Sequence, residues 1–160
     1  MAPPRSLQLQ CRASGSIPLA DQIQRLNFDF DYLNPAQLAS AGASQVVIAH
    51  GVAHWSGIVA ARHTPDGHDF PATTTADQLA FILERIDRCL AGVGTSRENI
   101  LTLTMFTTDI DGLSKSLRGV FAPWAGEHRP TVTVIGVSRL SWPQLNLEIQ
   151  GSALVPAIRA

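Results

Sequence analysis

The chain has 160 residues, 45% of them hydrophobic and 16% charged, with a formal net charge of -1. That length fits one domain that can bury a core without metal or disulfide staples, and a near-neutral balance with no basic tract argues against nucleic acid as a partner. No apolar run is long enough to span a bilayer, the first residues carry no apolar h-region, and two cysteines (Cys11 and Cys89) make no framework, so a reduced cytoplasmic protein without membrane association is expected.

Residues 1–33 lack sustained periodicity and carry Pro3, Pro4, Gly15 and Pro18. They read as an irregular extension with room for a short helix or strand near "DQIQRLNFDF". A regular domain is expected over 34–156, followed by a tail at 157–160. "SQVVIAHG" and "VAHWSGIVAA" are rich in β-branched residues and are split by Gly51, which predicts consecutive strands. "HTPDGHDFP" predicts a turn. Thr75 followed by Gln78 has the spacing of a capping box, and Leu79, Ile82, Leu83, Ile86 and Leu90 then recur at helical spacing until Gly92 and Gly94. "NILTLTMFTTD" alternates as a strand. A second helix is predicted over about 111–125 on the stripe Leu113, Leu117, Val120, Phe121 and Trp124.

The last two strands are expected at 131–139 and 145–154, side by side. In the second, Leu145, Leu147 and Ile149 alternate with Asn146, Glu148 and Gln150, which should therefore share a face. The element order is β-β-α-β-α-β-β, an α/β (α+β) layer of one mixed sheet with two helices on one face. The other face, on which Val132 and Val134 are expected, then needs cover from another copy of the chain.

The blocks "SGIVA", "TADQLAFILERIDRCLAGVGTSRENILTLTMFTTDID" and "RPTVTVIGVSRLSWPQLNLEIQGSAL" resemble the Rid (YjgF-type) family of enamine/imine deaminases across roughly 34–156. The resemblance implies a chorismate-mutase-like homotrimer with pockets between subunits, a small-molecule substrate, and hydrolysis of reactive enamines or imines to keto acids and ammonia without a cofactor. Residue by residue, the family's Ser-Gly after its second strand falls on Ser56-Gly57, and its last-strand glutamate falls on Glu148. The second acid of that motif is replaced by Gln150. The family's signature arginine, two residues after the proline, falls on Val132, and a position commonly held by cysteine falls on Val134. A family tyrosine falls around Ala43. Valine cannot replace the bidentate fork with which arginine clamps a carboxylate, so deamination of 2-aminoacrylate is not expected.

Glu148 has two readings: an interface acid bonded to backbone or to Asn146, or a proton-handling group whose pKa is raised by valines on the neighbouring strand. Ser56-Gly57 would either allow close backbone approach or offer an N–H to a carbonyl oxygen; without a Ser-His-Asp constellation a serine nucleophile is not expected. Trp142 reads as a turn anchor or a pocket wall. His50 and His54 lack a third ligand, so no metal site is expected, and His63, His68 and His128 read as solvated turn residues. Two functions compete. One is a Rid-like enzyme acting on an imine, enamine or enol by hydrolysis, tautomerisation or cyclisation, as a tailoring step in biosynthesis. The other is a non-catalytic trimer that binds a small molecule or a partner protein.

Overall fold

The computed structural model describes residues 23–28 and 34–156. Most of the expected extension, with Cys11 and the tail at 157–160, lies outside the described residues. The strands are β1 (Ile23–Leu26), β2 (Val46–Ala49), β3 (Val52–Val59), β4 (Arg62–Thr64), β5 (Gly67–Asp69), β6 (Ile100–Thr107), β7 (Thr131–Gly136) and β8 (Leu147–Leu154). The helices are α1 (Pro35–Ser40), α2 (Thr75–Gly92), α3 (Ile110–Ser116) and α4 (Ala122–Ala125). The expected mixed sheet with helices packed on it is found: six strands in the order β1-β2-β3-β8-β6-β7, with only the β6–β7 pair parallel.

Local chemistry accounts for the main elements. The turn between β2 and β3 places both His50 and Gly51 at positive φ (50° and 75°), the conformation that a two-residue hairpin loop of matching twist requires. Helix α2 buries Leu79, Ile82, Ile86 and Leu90 against Ile58, Leu103, Met105, Leu147 and Ile149. Each such side chain contributes about 1.5–3 kcal/mol of transfer free energy.

Several expectations need correction. The N-cap of α2 is Thr74, whose hydroxyl accepts the Asp77 N–H, so Thr75 is already helical. Gln78 is not part of a capping box. It is fully buried, donates to the carbonyls of Ala72 and Gln144, and accepts the Asn146 N–H at 2.8 Å. A polar side chain can be buried in that way because all its capacity facing the protein is used. The turn expected around Pro65-Asp66-Gly67 carries a hairpin, β4–β5, that pairs His63 with His68. The predicted second helix is found, but a π-helical segment at Leu117–Phe121 joins α3 to α4. That segment rotates the stripe so that Val120, Phe121 and Trp124 still pack on the core.

The largest correction concerns β7 and β8, which are not neighbours. Helix α3 and its continuation act as the crossover that a parallel β6–β7 pair requires. Residues 137–146 then pass the end of β6, and β8 enters antiparallel between β3 and β6. In this register Val132 lies opposite Leu103 and Val134 opposite Met105. Leu103 and Met105 are core residues, so both valines point to the helix side of the sheet. They remain 37% and 38% exposed because β7 is an edge strand.

Candidate functional site

The open face of the sheet is built in rows, because directly opposed residues in paired strands share a face. One row runs Ile135, Phe106, Glu148, Val59 across β7, β6, β8 and β3. The next row contains Thr133, Thr104 and Gln150; the third contains Thr131, Thr102, Ser152 and His54. Thr102 and Ser152 share a hydroxyl hydrogen bond of 3.0 Å. One acid therefore stands in an apolar row beside rows of neutral polar groups.

A β-bulge gives this acid its seat. Trp55 opposes Gly151 and Ile58 opposes Ile149, so Ser56 and Gly57 together face Gln150 alone. Such bulges re-aim side chains and are frequent beside active sites. The Ser56 N–H is used by the Gln45 carbonyl at 2.9 Å, which leaves it no part in holding a substrate oxygen. Gly57 does something different. A Cβ built there would overlap Glu148 Oε1 and stand 2.5 Å from Cδ and 2.8 Å from Cγ. The Glu148 side chain thus lies across the bare Cα of Gly57, and glycine is required there by close approach.

Glu148 is half-buried, and burial pushes its carboxyl above the ordinary glutamate range. Among the described residues no side chain donates a hydrogen bond to it, so desolvation is unopposed. The apolar residues opposite it in the row are Val59 and Phe106, and not Val132 and Val134. Those two belong to the opposite face. Asn146 does not join Glu148 either: its amide donates to the Thr75 hydroxyl at 3.3 Å, near the start of α2.

The structure thus brings together Glu148, Gln150, Ser56 and Gly57 within one chain, and leaves Val132, Val134 and Trp142 elsewhere. Trp142 sits in the 137–146 segment, with ring centroids 4.5 Å from His68 and 5.9 Å from Phe70. It lines a cleft of about 470 Å³ with Thr108, Arg139, Leu140 and Pro143, and Glu148 is not in the lining. This cleft and the candidate acid are therefore separate features. His63 and His68 are half-buried hairpin residues and not solvated turn residues. Cys89 is buried, and burial pushes its thiol up to about 12, which keeps it protonated and unreactive. Among the described residues no three His, Cys, Asp or Glu side chains converge as metal ligands, and no helix is long and apolar enough to cross a membrane.

Phe106 and Ile135 are site residues that sequence reasoning missed. The alternation in "LTLTMFTT" does put Phe106 on the threonine face. What was not legible is that this face is also that of Glu148.

The family model described as Endoribonuclease L-PSP matches residues 34–155. Among solved structures, the yeast protein YEO7 superposes with a TM-score of 0.71 at 16% identity, covering 84% of this chain and 99% of its own. A member of the YjgF protein family from Neisseria meningitidis gives 0.64 at 24% identity, covering 84% and 95%. YyfA from Yersinia pestis, of the conserved Rid protein family, gives 0.61 at 27% identity, covering 70% and 86%. No curated protein sequence shows significant similarity to the chain.

Proposed function

The chain belongs to the endoribonuclease L-PSP (YjgF/Rid) family, and from that membership we propose a Rid-like enzyme that acts on an imine, enamine or enol with Glu148 as its proton-handling group. The observation that carries this reading is the seat of Glu148: a lone carboxyl laid over Gly57, between Val59 and Phe106, with its pKa raised by burial. A carboxyl whose pKa is raised takes up a proton more readily than an ordinary glutamate, and such a group can give that proton and, once ionised, take one back. On an imine, protonated Glu148 delivers its proton to nitrogen as water adds to carbon. The carboxylate then accepts the proton lost by that water. Glu148, protonated again, passes that proton to the amine nitrogen of the carbinolamine and takes up the hydroxyl proton as the C–N bond breaks, leaving a carbonyl compound and ammonia. On an enol or enamine the same group moves one proton between carbon and the heteroatom.

The family description names an endoribonuclease, but a net charge of -1 and the absence of a basic tract favour a small molecule over RNA. Valine at the position matching the family's signature arginine favours a substrate larger and less anionic than 2-aminoacrylate. A tailoring reaction in a cytoplasmic biosynthetic pathway, without a cofactor, suits such a site. The protein would work as a homotrimer in which another copy covers the open face. Exposed Ile135 and Leu154 lie on that face, and the exposed edge strand β7 bounds it.

Three measurements test the reading. Light scattering over a dilution series should give a trimer; a stable monomer removes the intersubunit pocket. A neutral imine such as benzophenone imine should be hydrolysed faster with the protein present, and 2-aminoacrylate should not. Glu148→Gln keeps shape and should lower turnover by about 10²–10⁴-fold while the trimer persists. If wild type and variant accelerate nothing, or accelerate equally, Glu148 is structural and a non-catalytic binding trimer becomes the better reading.

A further inference from the structure

The cleft at the end of the sheet is a second constellation that the Glu148 chemistry does not use. Its volume of about 470 Å³ lies in the range of small-molecule sites. One wall is apolar, made by Leu140, Trp142 and Pro143, while Arg139, Ser138 and Thr108 supply a cation and two hydroxyls. No acidic residue lines it. Among the described residues Arg139 has neither an ion pair nor a hydrogen bond. A permanent positive charge facing an acid-free cleft is left for something outside the chain to neutralise.

The cleft is also held in shape, which a chance surface hollow would not be. The ring of Trp142 is braced by His68 and Phe70. The Trp142 carbonyl accepts the Leu145 N–H at 3.1 Å, closing a turn beneath the ring. Next to that turn, buried Gln78 binds the Gln144 carbonyl and the Asn146 N–H, each at 2.8 Å. The segment that presents Arg139 and Trp142 is therefore clamped to α2, and little ordering remains to be done on binding.

We propose that this cleft binds a small organic carboxylate with a flat apolar body, its charge on the Arg139 guanidinium and its body on Trp142. A planar guanidinium matches a carboxylate in two parallel hydrogen bonds, and an indole face takes a flat ring by stacking. Inorganic anions would satisfy the charge but leave the apolar wall wet. The site goes beyond the Glu148 reading and does not depend on it.

Isothermal titration of the full chain with 2-naphthoate, neutral 2-naphthamide and inorganic phosphate tests the assignment. Naphthoate should bind saturably and at least about tenfold more tightly than either the amide or phosphate. Arg139→Ala should weaken naphthoate by at least about tenfold and leave the amide within about twofold, while Trp142→Ala should weaken both ring compounds. Glu148→Gln should bind naphthoate as wild type does. Equal affinity for naphthoate and naphthamide, or unchanged naphthoate binding in Arg139→Ala, overturns the proposal. Loss of naphthoate binding in Glu148→Gln also overturns it, because the anion would then lie at the other site.

Discussion

Gly57→Ala is the sharpest probe of the arrangement around Glu148, and it needs no substrate. The new methyl would start 2.5 Å from Glu148 Cδ and 2.8 Å from Cγ. Carbon atoms rest at about 3.5–4.0 Å, so the carboxyl end must retreat by about 1 Å. Val59 and Phe106 flank the side chain across its row, which restricts the rotamers open to it. Holding it off-rotamer costs about 0.5–1.5 kcal/mol, partly offset by about 0.4–1 kcal/mol from the reduced freedom of the unfolded chain. The net loss of stability should therefore be small, about 0–1 kcal/mol, by the same reasoning. The pairwise term is more diagnostic. In Glu148→Ala the obstructed atoms are gone, so adding Gly57→Ala should then be neutral or stabilising. A double-mutant cycle by urea unfolding at fixed protomer concentration should show a coupling equal to that strain, about 0.5–1.5 kcal/mol. Additive effects, with coupling below about 0.3 kcal/mol, would refute the claim that Glu148 lies over Gly57.

Two further outcomes follow from single groups. The Glu148 carboxyl is held above its ordinary range in the folded state, by burial. Its contribution to stability is therefore most favourable below the unfolded pKa and declines as pH rises through the folded pKa. Glu148→Gln should accordingly gain stability relative to wild type as unfolding is measured from about pH 4 to about pH 8; a pH-independent difference would mean the acid is not desolvated. Gln78→Ala orphans the Asn146 N–H and the Gln144 and Ala72 carbonyls in a buried setting. It should cost about 3–5 kcal/mol in urea unfolding, and a loss below about 1 kcal/mol would show that the 137–146 segment is not held through α2.

Elements with strong periodicity were legible from sequence because one physical constraint wrote them. The α2 stripe and the alternation in β6 and β8 record a single buried face, and the structure buries the expected residues. Thr75 and Gln78 were misread because the same pair of residue types serves a cap and a buried clamp. Only the position of the 137–146 segment distinguishes the two. The β4–β5 hairpin was hidden in a stretch whose turn residues are conspicuous and whose three-residue strands are too short to show a period.

The site was half legible for a related reason. Alternation fixes which residues of one strand share a face, so Glu148 and Gln150 could be placed together from sequence alone. It carries no information about which strand lies next door. The strand nearest to β8 in sequence is β7, and sequence order alone therefore points to Val132 and Val134 as the groups that desolvate Glu148. In the structure β6 intervenes, and it brings Phe106 to one side of the acid while the bulged β3 brings Gly57 and Val59 to the other. The expected direction of the pKa shift was right and its expected cause was wrong. Apolar neighbours of either origin penalise the ionised form alike, so a titration of Glu148 could not separate the two assignments. Phe106→Ala can, because it strips an apolar wall from the acid and leaves both valines in place. It should let the Glu148 pKa fall toward the ordinary range, whereas Val132→Ala should leave it where it is within one chain.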